Sequence, residues 1–532
     1  MTSEPVISIV PETETSELKS PAYTDLANGE YFAWYNRDHL RYLDDRDVWL
    51  QWDSKRWANA TKKYVLKRAA LTAKKMLSQA NKASADIQKT MVEWAKKSAE
   101  LKRLNAMITI GASDDRIRIK MSQMNQHPDW LNARNCTINL QTGETWEHRR
   151  EDLLTTLTDI DYDPTATAPR WEKFLEEIFA EDKDLIAFIH RATGYTLTGH
   201  TREQCFFLLW GETGNNGKGR FIRQLRRLLG DASKTIPFAT LIAKRAQTDN
   251  TPVMATLAGA RLVAAGESDE GIRFSEATIK EITGEDEITV CAKYEMPFSY
   301  TPAFKAWLHC NHKPVIRGTD NAIWRRPKLI PFTVSFEGRA DKTLDKTLDE
   351  QASGILAWVV RGSHIWYESG LESCTTVDEA KESYRTECDS FSRFFEDEVV
   401  VLDPSDDKYN KSFLTSSTVY LKYAQWCENN GEKNPLDSAI LNKRLVTKGA
   451  KVTAATVAEA AGGELMTPCE ACAGEGALYT PGIFHAFVPR RIVRIIPDDM
   501  PEAERAKLKE QSLTLVDVPG DDPDHAPRAK RK

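Results

Sequence analysis

The clearest pattern of apolar and polar positions lies between residues 205 and 332. Short apolar runs are separated there by segments with helical spacing, and the runs are CFFLLW (205–210), RLVAAGE (261–267), FKAWLHCN (304–311) and KLIPF (328–332). Short apolar runs that alternate with helical segments are typical of parallel strands joined by crossover helices. The pattern therefore predicts an α/β core with a mostly parallel sheet.

Helical and short-strand patterns flank this core. Residues 171–197 have apolar residues at helical spacing, and residues 128–162 alternate around a glycine turn as a hairpin does. The Trp- and Tyr-rich stretch 22–58 predicts small strands or a compact cap. Beyond residue 340 the pattern is helical again, and residues 395–495 contain two helical segments followed by a strand pair, which is the order of a winged helix.

Composition indicates a soluble globular protein. The chain is 41% hydrophobic and 28% charged, and no apolar run approaches the roughly 20 residues that cross a bilayer. The acidic N-terminus lacks the features of a signal peptide, which predicts a disordered leader on a cytoplasmic protein. Nine scattered cysteines favour reduced thiols. Cys469 and Cys472 supply half of a zinc site, but we interpret them as part of a loop.

The charge distribution leaves DNA binding open as a local property. Formal net charge is −6 and the isoelectric point is near 6.0, so the surface as a whole is not basic. Residues 60–104 are the exception, with twelve Lys/Arg against three acidic residues. Two interpretations remain: a DNA-binding surface, or the solvated side of a helical pair whose apolar stripe includes Val65, Ala69 and Met76.

A phosphate-binding loop is predicted directly after the strand CFFLLW. The stretch GETGNNGKG (211–219) precedes the amphipathic helix RFIRQLRRLLG, whose free N–H groups would face the loop. Its glycines allow tight folding around an anion, and its lysine supplies a positive charge for the β- and γ-phosphates. The predicted ATP-binding residues are Gly211, Glu212, Thr213, Gly214, Asn215, Asn216, Gly217, Lys218, Gly219 and Arg220.

The loop departs from the common pattern at the position that binds magnesium. It is one residue longer, and Gly219 replaces the usual Ser or Thr. Metal binding then depends on Glu267, which ends the strand RLVAAGE and is followed by Asp269 and Glu270. A carboxylate at the carboxyl edge of the sheet can ligate Mg²⁺, directly or through water, and polarise the attacking water.

Two further elements suit nucleotide hydrolysis. Asn311 ends the strand FKAWLHCN, where its amide could orient water or touch the γ-phosphate. Arg325 and Arg326 precede the next strand and suit an arginine finger that reaches a neighbouring subunit's nucleotide. Four such elements in this order predict NTP hydrolysis.

The ordered motifs resemble superfamily III helicases of the phage and plasmid primase-helicase type, which include the poxvirus enzyme. The similarity runs from about residue 22 to 375, and more weakly to 495. It includes NARNCTINLQTGE, ATGYTLTGHTREQCFFLLWG, GETGNNGKGRF, ARLVAAGESDEG and DNAIWRRPKLIPF. Cys136 stands where related sequences usually show glycine. Several members carry glycine after the loop lysine, so Gly219 is compatible with activity.

The resemblance implies an AAA+-like P-loop ATPase that assembles as a hexameric ring and moves along a DNA strand in its pore. Lys218 would hold the phosphates, Glu267 would be the Walker B acid, and Asn311 would be the sensor. Arg325 or Arg326 would be the trans-acting finger. The pore hairpin would be TGEDEITVCAKYEMPF, with Lys293 as its DNA contact and Lys280 and Lys305 as supports.

The predicted organisation has six parts. They are a disordered leader (1–21), a mostly helical pre-helicase domain that could form an oligomerisation collar (22–200), the ATPase core (201–335), a helical lid (336–394), a winged-helix-like domain (395–497) and a disordered tail (498–532). The residues before the core match the family's pre-helicase region, so no primase polymerase domain is expected.

The predicted function is that of an ATP-dependent replicative DNA helicase of a phage or mobile element, acting in the bacterial cytoplasm. It would need ATP and Mg²⁺, act as a homo-hexamer on single-stranded and forked DNA, and work with a separate primase or polymerase, without a membrane. One alternative is an ATP-switched initiator or loader that binds DNA without processive unwinding. Another is a P-loop ATPase that acts on protein.

Overall fold

The computed structural model describes residues 23–243, 250–266, 272–292, 297–318, 320–339, 341–402, 414–430, 435–448, 452–453, 485–486 and 492–495. The chain divides into two compact units, Met1–Lys381 and Glu382–Lys532. Among the described residues, no helix is both long and apolar enough to cross a membrane.

The first unit begins with four helices and a small sheet. These are α1 (Asp25–Asn36), β1 (Leu40–Leu43), β2 (Val48–Trp52), β3 (Trp57–Asn59), α2 (Lys62–Ala80), α3 (Ala85–Ser98), α4 (Leu101–Ala112) and β4 (Arg118–Ile119). The strand order is β3-β2-β1-β4, and only β1 and β4 run parallel. Val65, Ala69 and Met76 of α2 are buried, as their helical spacing predicts. The structure confirms the small strands and the basic helices predicted here.

A second small sheet and two helices follow. They are β5 (Trp130–Asn132), β6 (Thr137–Asn139), β7 (Thr145–Trp146), α5 (Pro169–Ile178) and α6 (Lys183–Leu197). The strands are antiparallel, and Gly143 turns between β6 and β7 with φ +77°, which confirms the predicted hairpin. The helical pattern of residues 171–197 is divided between α5 and α6. Ala180 and Glu181 adopt positive φ between them, and the Asp182 carboxylate accepts the Leu185 N–H at 3.0 Å.

The central sheet contains five parallel strands in the order β14-β8-β13-β10-β9. Its segment comprises β8 (Phe206–Trp210), α7 (Lys218–Leu229), β9 (Ser233–Thr235), α8 (Thr251–Ala255), β10 (Leu262–Gly266), α9 (Glu276–Ile282), β11 (Ile288–Val290), β12 (Phe298–Tyr300), β13 (Lys305–Cys310), α10 (Asn321–Trp324) and β14 (Pro327–Pro331). The parallel sheet predicted from the apolar runs is confirmed. β11 and β12 form a separate antiparallel pair.

Packing of α7 on this sheet explains the direction of the helix. Phe221, Leu225 and Leu228 are buried on one side of α7. The Phe221 ring lies 5.6 Å from that of Trp307 on β13, and Trp307 in turn stacks on Phe207 at 4.1 Å. This contact aims the N-terminus of α7 back at the end of β8.

Three helices complete the first unit and lead into the second, namely α11 (Leu344–Glu350), α12 (Ala352–Ser369) and α13 (Thr375–Cys388). α12 packs on α6 so closely that only glycine fits at two crossing points. A Cβ at Gly194 would lie 2.1 Å from the Ser363 N, and a Cβ at Gly362 would lie 2.1 Å from the His190 O. The border between the units falls within α13, inside the segment 336–394 predicted as one lid.

The second unit contains three further helices and five short strands among its described residues. They are α14 (Ser390–Glu398), β15 (Val399–Leu402), β16 (Leu414–Thr415), α15 (Ser416–Asn429), α16 (Ser438–Thr447), β17 (Val452–Thr453), β18 (His485–Ala486) and β19 (Ile492–Ile495). Phe394, Tyr423 and Leu441 are buried in its core. Strands follow α15 and α16 as predicted, but β15 and β16 precede these helices. The predicted strand pair is wrong, because β18 pairs with β16 and β17 while β19 pairs with β15. The winged helix stays a prediction. The leader 1–21, the tail 498–532 and Cys469/Cys472 lie outside the described residues.

Candidate nucleotide-binding site

The glycine-rich loop connects the most buried strand of the sheet to the N-terminus of a long helix. Phe206, Phe207, Leu208 and Leu209 of β8 are fully buried, and residues 211–217 then lead into α7. Gly217 precedes the helix with φ +89°, a left-handed conformation that favours glycine. The free N–H groups of the first turn of α7 therefore face the loop, as they do in anion-binding sites.

The strand order places three chain segments around this loop. β8 lies between β14 and β13, so the carboxyl ends of all three strands meet at one edge. The Phe336 N–H beyond β14 donates to the Asn215 O at 3.0 Å, and the Asn216 side chain donates to the Val334 O at 3.0 Å. From the other side, Asn311 at the end of β13 accepts the Trp210 Nε1–H at 3.0 Å through its backbone oxygen.

Lys218 is a buried cation whose acceptors are all neutral. Its side chain belongs to a residue only 7% exposed, and its Nζ donates to the Gly211 O at 2.9 Å, the Asn311 Oδ1 at 2.9 Å and the Asn216 Oδ1 at 3.4 Å. No carboxylate of the described residues forms an ion pair with it. Burial lowers the pKa of Lys218 below its usual value, because it penalises the charged form. A bound anion at this position would relieve that penalty.

The remaining loop residues take supporting positions. The Thr213 hydroxyl accepts the Asn216 Nδ2–H at 3.2 Å, while Glu212 is exposed. Arg220 lies with its Nε 3.8 Å from the Asp345 carboxylate of α11.

A Cβ at Gly211 would lie 2.7 Å from the Phe332 O, so glycine is required where the loop passes the end of β14. A Cβ at Gly214 would meet nothing within 4 Å.

Two glycines of this site form a matched pair for a stability test. A Cβ at Gly217 would lie 2.7 Å from the Ile178 Cγ2, whereas a Cβ at Gly219 would meet nothing within 4 Å. We expect Gly217→Ala to lower the free energy of unfolding by about 1–3 kcal/mol, because alanine is strained at positive φ and would clash. We expect Gly219→Ala to raise it by up to about 1 kcal/mol, because alanine favours the helix. Urea unfolding followed by tryptophan fluorescence measures both, and equal effects would contradict this account of the loop.

The predicted metal ligand follows the end of β10 in the sequence. β10 ends at Gly266, where a Cβ would lie 2.0 Å from the His309 ring, so the imidazole lies directly against this glycine. Glu267, Asp269 and Glu270 follow and lie outside the described residues. Within the described ranges, no three His, Cys, Asp or Glu side chains group closely enough to hold a metal ion. The role of Glu267 in Mg²⁺ binding stays a prediction.

The structure separates the two candidate arginine fingers. Arg325 is exposed, and its Nη2 donates to the Gln204 Oε1 at 2.6 Å. Arg326 is only 8% exposed; its Nη1 donates to the Thr283 Oγ1 at 2.5 Å and its Nε to the Ala322 O at 3.2 Å. Burial and internal acceptors fit Arg326 less well than Arg325 to a role at a neighbouring subunit. Of the pair, Arg325 has the exposure that the predicted role requires, and the choice between the two arginines stays a prediction.

The three predicted DNA-contacting lysines differ in position. Lys293 falls between β11 and β12 and lies outside the described residues. Lys280 of α9 is at the surface, with its Nζ 3.3 Å from the Asp320 carboxylate. Lys305 is only 1% exposed, and its Nζ donates to the backbone oxygens of Thr198 and His200.

The prediction that Lys305 supports DNA binding is therefore wrong. Its ammonium group is enclosed by backbone carbonyls, and burial lowers its pKa well below the usual value. A signal was present in the sequence, because Lys305 stands inside the apolar run FKAWLHC. Such runs form strands that are buried on both faces of a parallel sheet.

Two protein families match separate parts of the chain. The family described as "D5 N terminal like" matches residues 29–180, and a "Family of unknown function (DUF5906)" matches residues 209–326. The first match covers the N-terminal helices and small sheets. The second begins at the end of β8, covers the glycine-rich loop and ends at Arg326, just before β14.

Three viral proteins are similar to the chain. "Putative helicase L207/L206" of Acanthamoeba polyphaga mimivirus is 27% identical over 319 residues, which are 56% of this chain and 32% of that protein. "Putative helicase 022R" of Frog virus 3 (isolate Goorha) is 27% identical over 282 residues, covering 48% and 28%. "Putative primase C962R" of African swine fever virus (isolate Tick/Malawi/Lil 20-1/1983) is 23% identical over 343 residues, covering 59% and 35%.

The chain thus spans about a third of the length of these viral relatives. Together with the first family match, they support a relation to the D5-like primase-helicases. Among solved structures, the apo C-terminal region of NrS-1 is 10% identical, with a TM-score of 0.47, and the match covers 80% of this chain and 94% of that chain.

Proposed function

We propose that the chain hydrolyses ATP at this site and uses the energy to separate DNA strands as a replicative helicase. The observation that carries the proposal is the environment of Lys218. A buried ammonium group with three neutral acceptors lies at the start of a twelve-residue helix, beside the ends of β13 and β14. Both the uncompensated charge and the helix N-terminus favour a phosphate group there.

The same contacts suggest how the site would act on ATP. Lys218 would exchange its contacts with Gly211 and Asn311 for oxygens of the β- and γ-phosphates. The Oδ1 of Asn311 accepts from Lys218 in this structure, which leaves the amide NH₂ group as the donor for the γ-phosphate or the attacking water. Mg²⁺, held by Glu267, would neutralise charge that develops on the phosphates.

The proposed DNA contact is the hairpin between the sheet strands β10 and β13. β11 and β12 pair antiparallel, with Ile288 opposite Tyr300. Lys293 falls between these strands in sequence. If six subunits form a ring, six such lysines would line one pore and contact phosphates without reading sequence. The relatives named as helicases and primases support DNA as the substrate. A separate primase or polymerase stays a predicted partner.

Strand displacement on a forked DNA with ATP and Mg²⁺ tests this function. We expect wild type to unwind the fork. We expect Lys293→Ala to lower the rate of unwinding at least about tenfold, because the hairpin would lose its lysine contact with the DNA phosphates. Lys293→Ala should still hydrolyse ATP, and Lys342→Ala, at an exposed site elsewhere in the first unit, should behave as wild type.

Each other result identifies a different function. DNA-stimulated ATP hydrolysis without unwinding at any salt concentration or fork geometry would overturn the helicase and favour an ATP-switched initiator or loader. ATP hydrolysis that is indifferent to DNA would favour an ATPase that acts on protein. Absence of ATP hydrolysis would overturn the proposal at its first step.

A further inference from the structure

The helices α2–α4 and the turns between them carry a dense set of exposed lysines, which we call the lysine face. All ten are exposed, and the acidic residues among them are only Asp86, Glu93 and Glu100. The lysine face consists of Lys62, Lys63, Lys67, Lys74, Lys75, Lys82, Lys89, Lys96, Lys97 and Lys102. It belongs to a chain whose formal net charge is −6, so this concentration of positive charge is local.

The fold itself makes little use of these charges. None of the ten lysines forms an ion pair with any residue in the described part of the chain. The two arginines of the region behave differently: the Arg68 Nε donates to the Asn36 Oδ1 at 2.7 Å, and the Arg103 Nη1 donates to the Asp25 Oδ1 at 2.8 Å. Arginines thus hold the helices together, while the lysines repel one another at the surface. Salt ions screen part of this repulsion, and a partner that brings negative charge would relieve it further.

The spacing of the lysines suits an extended polyanion. Lys63, Lys67 and Lys74 follow one side of α2 at helical spacing and span roughly 16 Å. Lys89 and Lys96 are two turns apart on α3, roughly 10 Å. Lysine is a flexible point charge that suits phosphate contacts without fixed geometry.

The aromatic residues of these helices are not available for base stacking. Trp94 donates its Nε1–H to the Asn28 Oδ1 at 3.1 Å, and the Arg103 guanidinium lies 4.3 Å from its ring centroid. Tyr64 is partly buried against the apolar core of the four helices. Proteins that bind single strands without sequence preference combine positive charge with exposed aromatics. A surface with charge alone suits the phosphate backbone of a duplex.

We propose that the lysine face binds the backbone of duplex DNA, without sequence preference, as a contact separate from the hairpin. The inference rests on the proposed function in that DNA is taken as the substrate. On a forked substrate, the lysine face would hold the duplex while the hairpin acts on the single strand. The phosphates would then offset the repulsion among the lysines, and release of counterions from the DNA would favour binding.

The test compares two triple variants of the full-length chain with equal loss of charge. The first is Lys63→Gln/Lys67→Gln/Lys74→Gln. The control, Lys173→Gln/Lys342→Gln/Lys346→Gln, changes exposed lysines outside the lysine face. Fluorescence anisotropy of a labelled duplex of about 30 base pairs, without ATP and over a series of salt concentrations, gives affinity and salt dependence. Sedimentation and ATP hydrolysis without DNA are measured for each protein.

We expect the first triple variant to bind duplex at least about tenfold more weakly at low salt. The slope of log affinity against log salt should fall by up to about 2.7, because each lost phosphate contact removes about 0.9. Control and wild type should agree. Equal affinity and slope in the two triple variants would overturn the inference, as would weaker binding that accompanies loss of self-association, which would indicate an oligomerisation collar.

The measurements separate this inference from the proposed function. If the protein hydrolyses ATP but its duplex binding does not depend on these lysines, the inference about the lysine face is overturned and the proposed function is not. If duplex binding depends on the lysines but the protein does not hydrolyse ATP, the proposed helicase function is overturned and the inference is not.

Discussion

Lys218→Met is expected to lower the rate of ATP hydrolysis at least about 100-fold while leaving the fold intact. Removal of one preorganised donor to a developing negative charge typically costs about 10²–10³ in rate. Lys218 would be such a donor to the phosphates. Its ammonium group carries a full positive charge, and the residue is only 7% exposed. The measurement is steady-state release of inorganic phosphate with saturating ATP and Mg²⁺.

The fold should tolerate this change because the charged side chain is not part of an internal ion pair. Methionine roughly keeps the length of the side chain and removes the cost of burying an ammonium group, although the Gly211 O, the Asn311 Oδ1 and the Asn216 Oδ1 each lose a donor. We expect the melting temperature to change by a few degrees at most. Lys173→Met, at an exposed position on α5, is the control and should keep wild-type activity.

Two results would contradict this assignment. Hydrolysis within about threefold of wild type would show that Lys218 does not contact the phosphates. A large fall in melting temperature would show that the Lys218 hydrogen bonds mainly hold the ends of β8 and β13 together. Direct titration with a fluorescent ATP analogue distinguishes loss of binding from loss of the chemical step.

Arg325→Ala is expected to lower ATP hydrolysis by roughly 10³-fold through the neighbouring subunit's site. Arginine fingers supplied in trans contribute about 10³–10⁵ to the rate of phosphoryl transfer. The side chain of Arg325 is exposed, and its only acceptor in the described part of the chain is the neutral Gln204 at 2.6 Å, so it is available to an incoming subunit. Folding should be unaffected.

Mixing variants tests whether the arginine acts in trans. In a mixture of Arg325→Ala and Lys218→Met chains, some sites combine an intact Lys218 with an intact arginine from the neighbour. We expect such mixtures to recover a substantial part of wild-type hydrolysis. No recovery at any mixing ratio, with mixed oligomers shown to form, would contradict the trans role.

Arg326→Ala is the matched control for the adjacent position. It would leave the Thr283 hydroxyl, in a residue only 3% exposed, without its donor, so we expect a loss of about 1–3 kcal/mol of stability. When Arg326→Ala chains are mixed with Lys218→Met chains, ATP hydrolysis should be no higher than in the same mixture made with wild type. A stable Arg326→Ala chain whose hydrolysis is restored by Lys218→Met would reverse the assignment of the two arginines.

Much of the core could be predicted because its signals are local. The strands around CFFLLW and KLIPF are continuous apolar runs, and the helix after the glycine-rich loop has its apolar residues on one side. The loop lies between them because strand, glycine-rich turn and helix follow directly in the chain. The two helices within 171–197 were harder to separate, because both keep the same apolar spacing across a short turn.

The amino-acid sequence by itself determined the order of the elements, the parallel character of the sheet and the position of Lys218 at the start of α7. These depend on residues a few positions apart. Tertiary structure alone decided which cationic side chains are exposed for contact with DNA or another subunit. Lys305 donates a hydrogen bond to Thr198, 107 positions away, and Arg326 donates one to Thr283, 43 positions away. It also brought Asn311 to Lys218 across 93 positions. Burial of a charge depends on all the neighbours that displace water from it, and distant segments supply those neighbours.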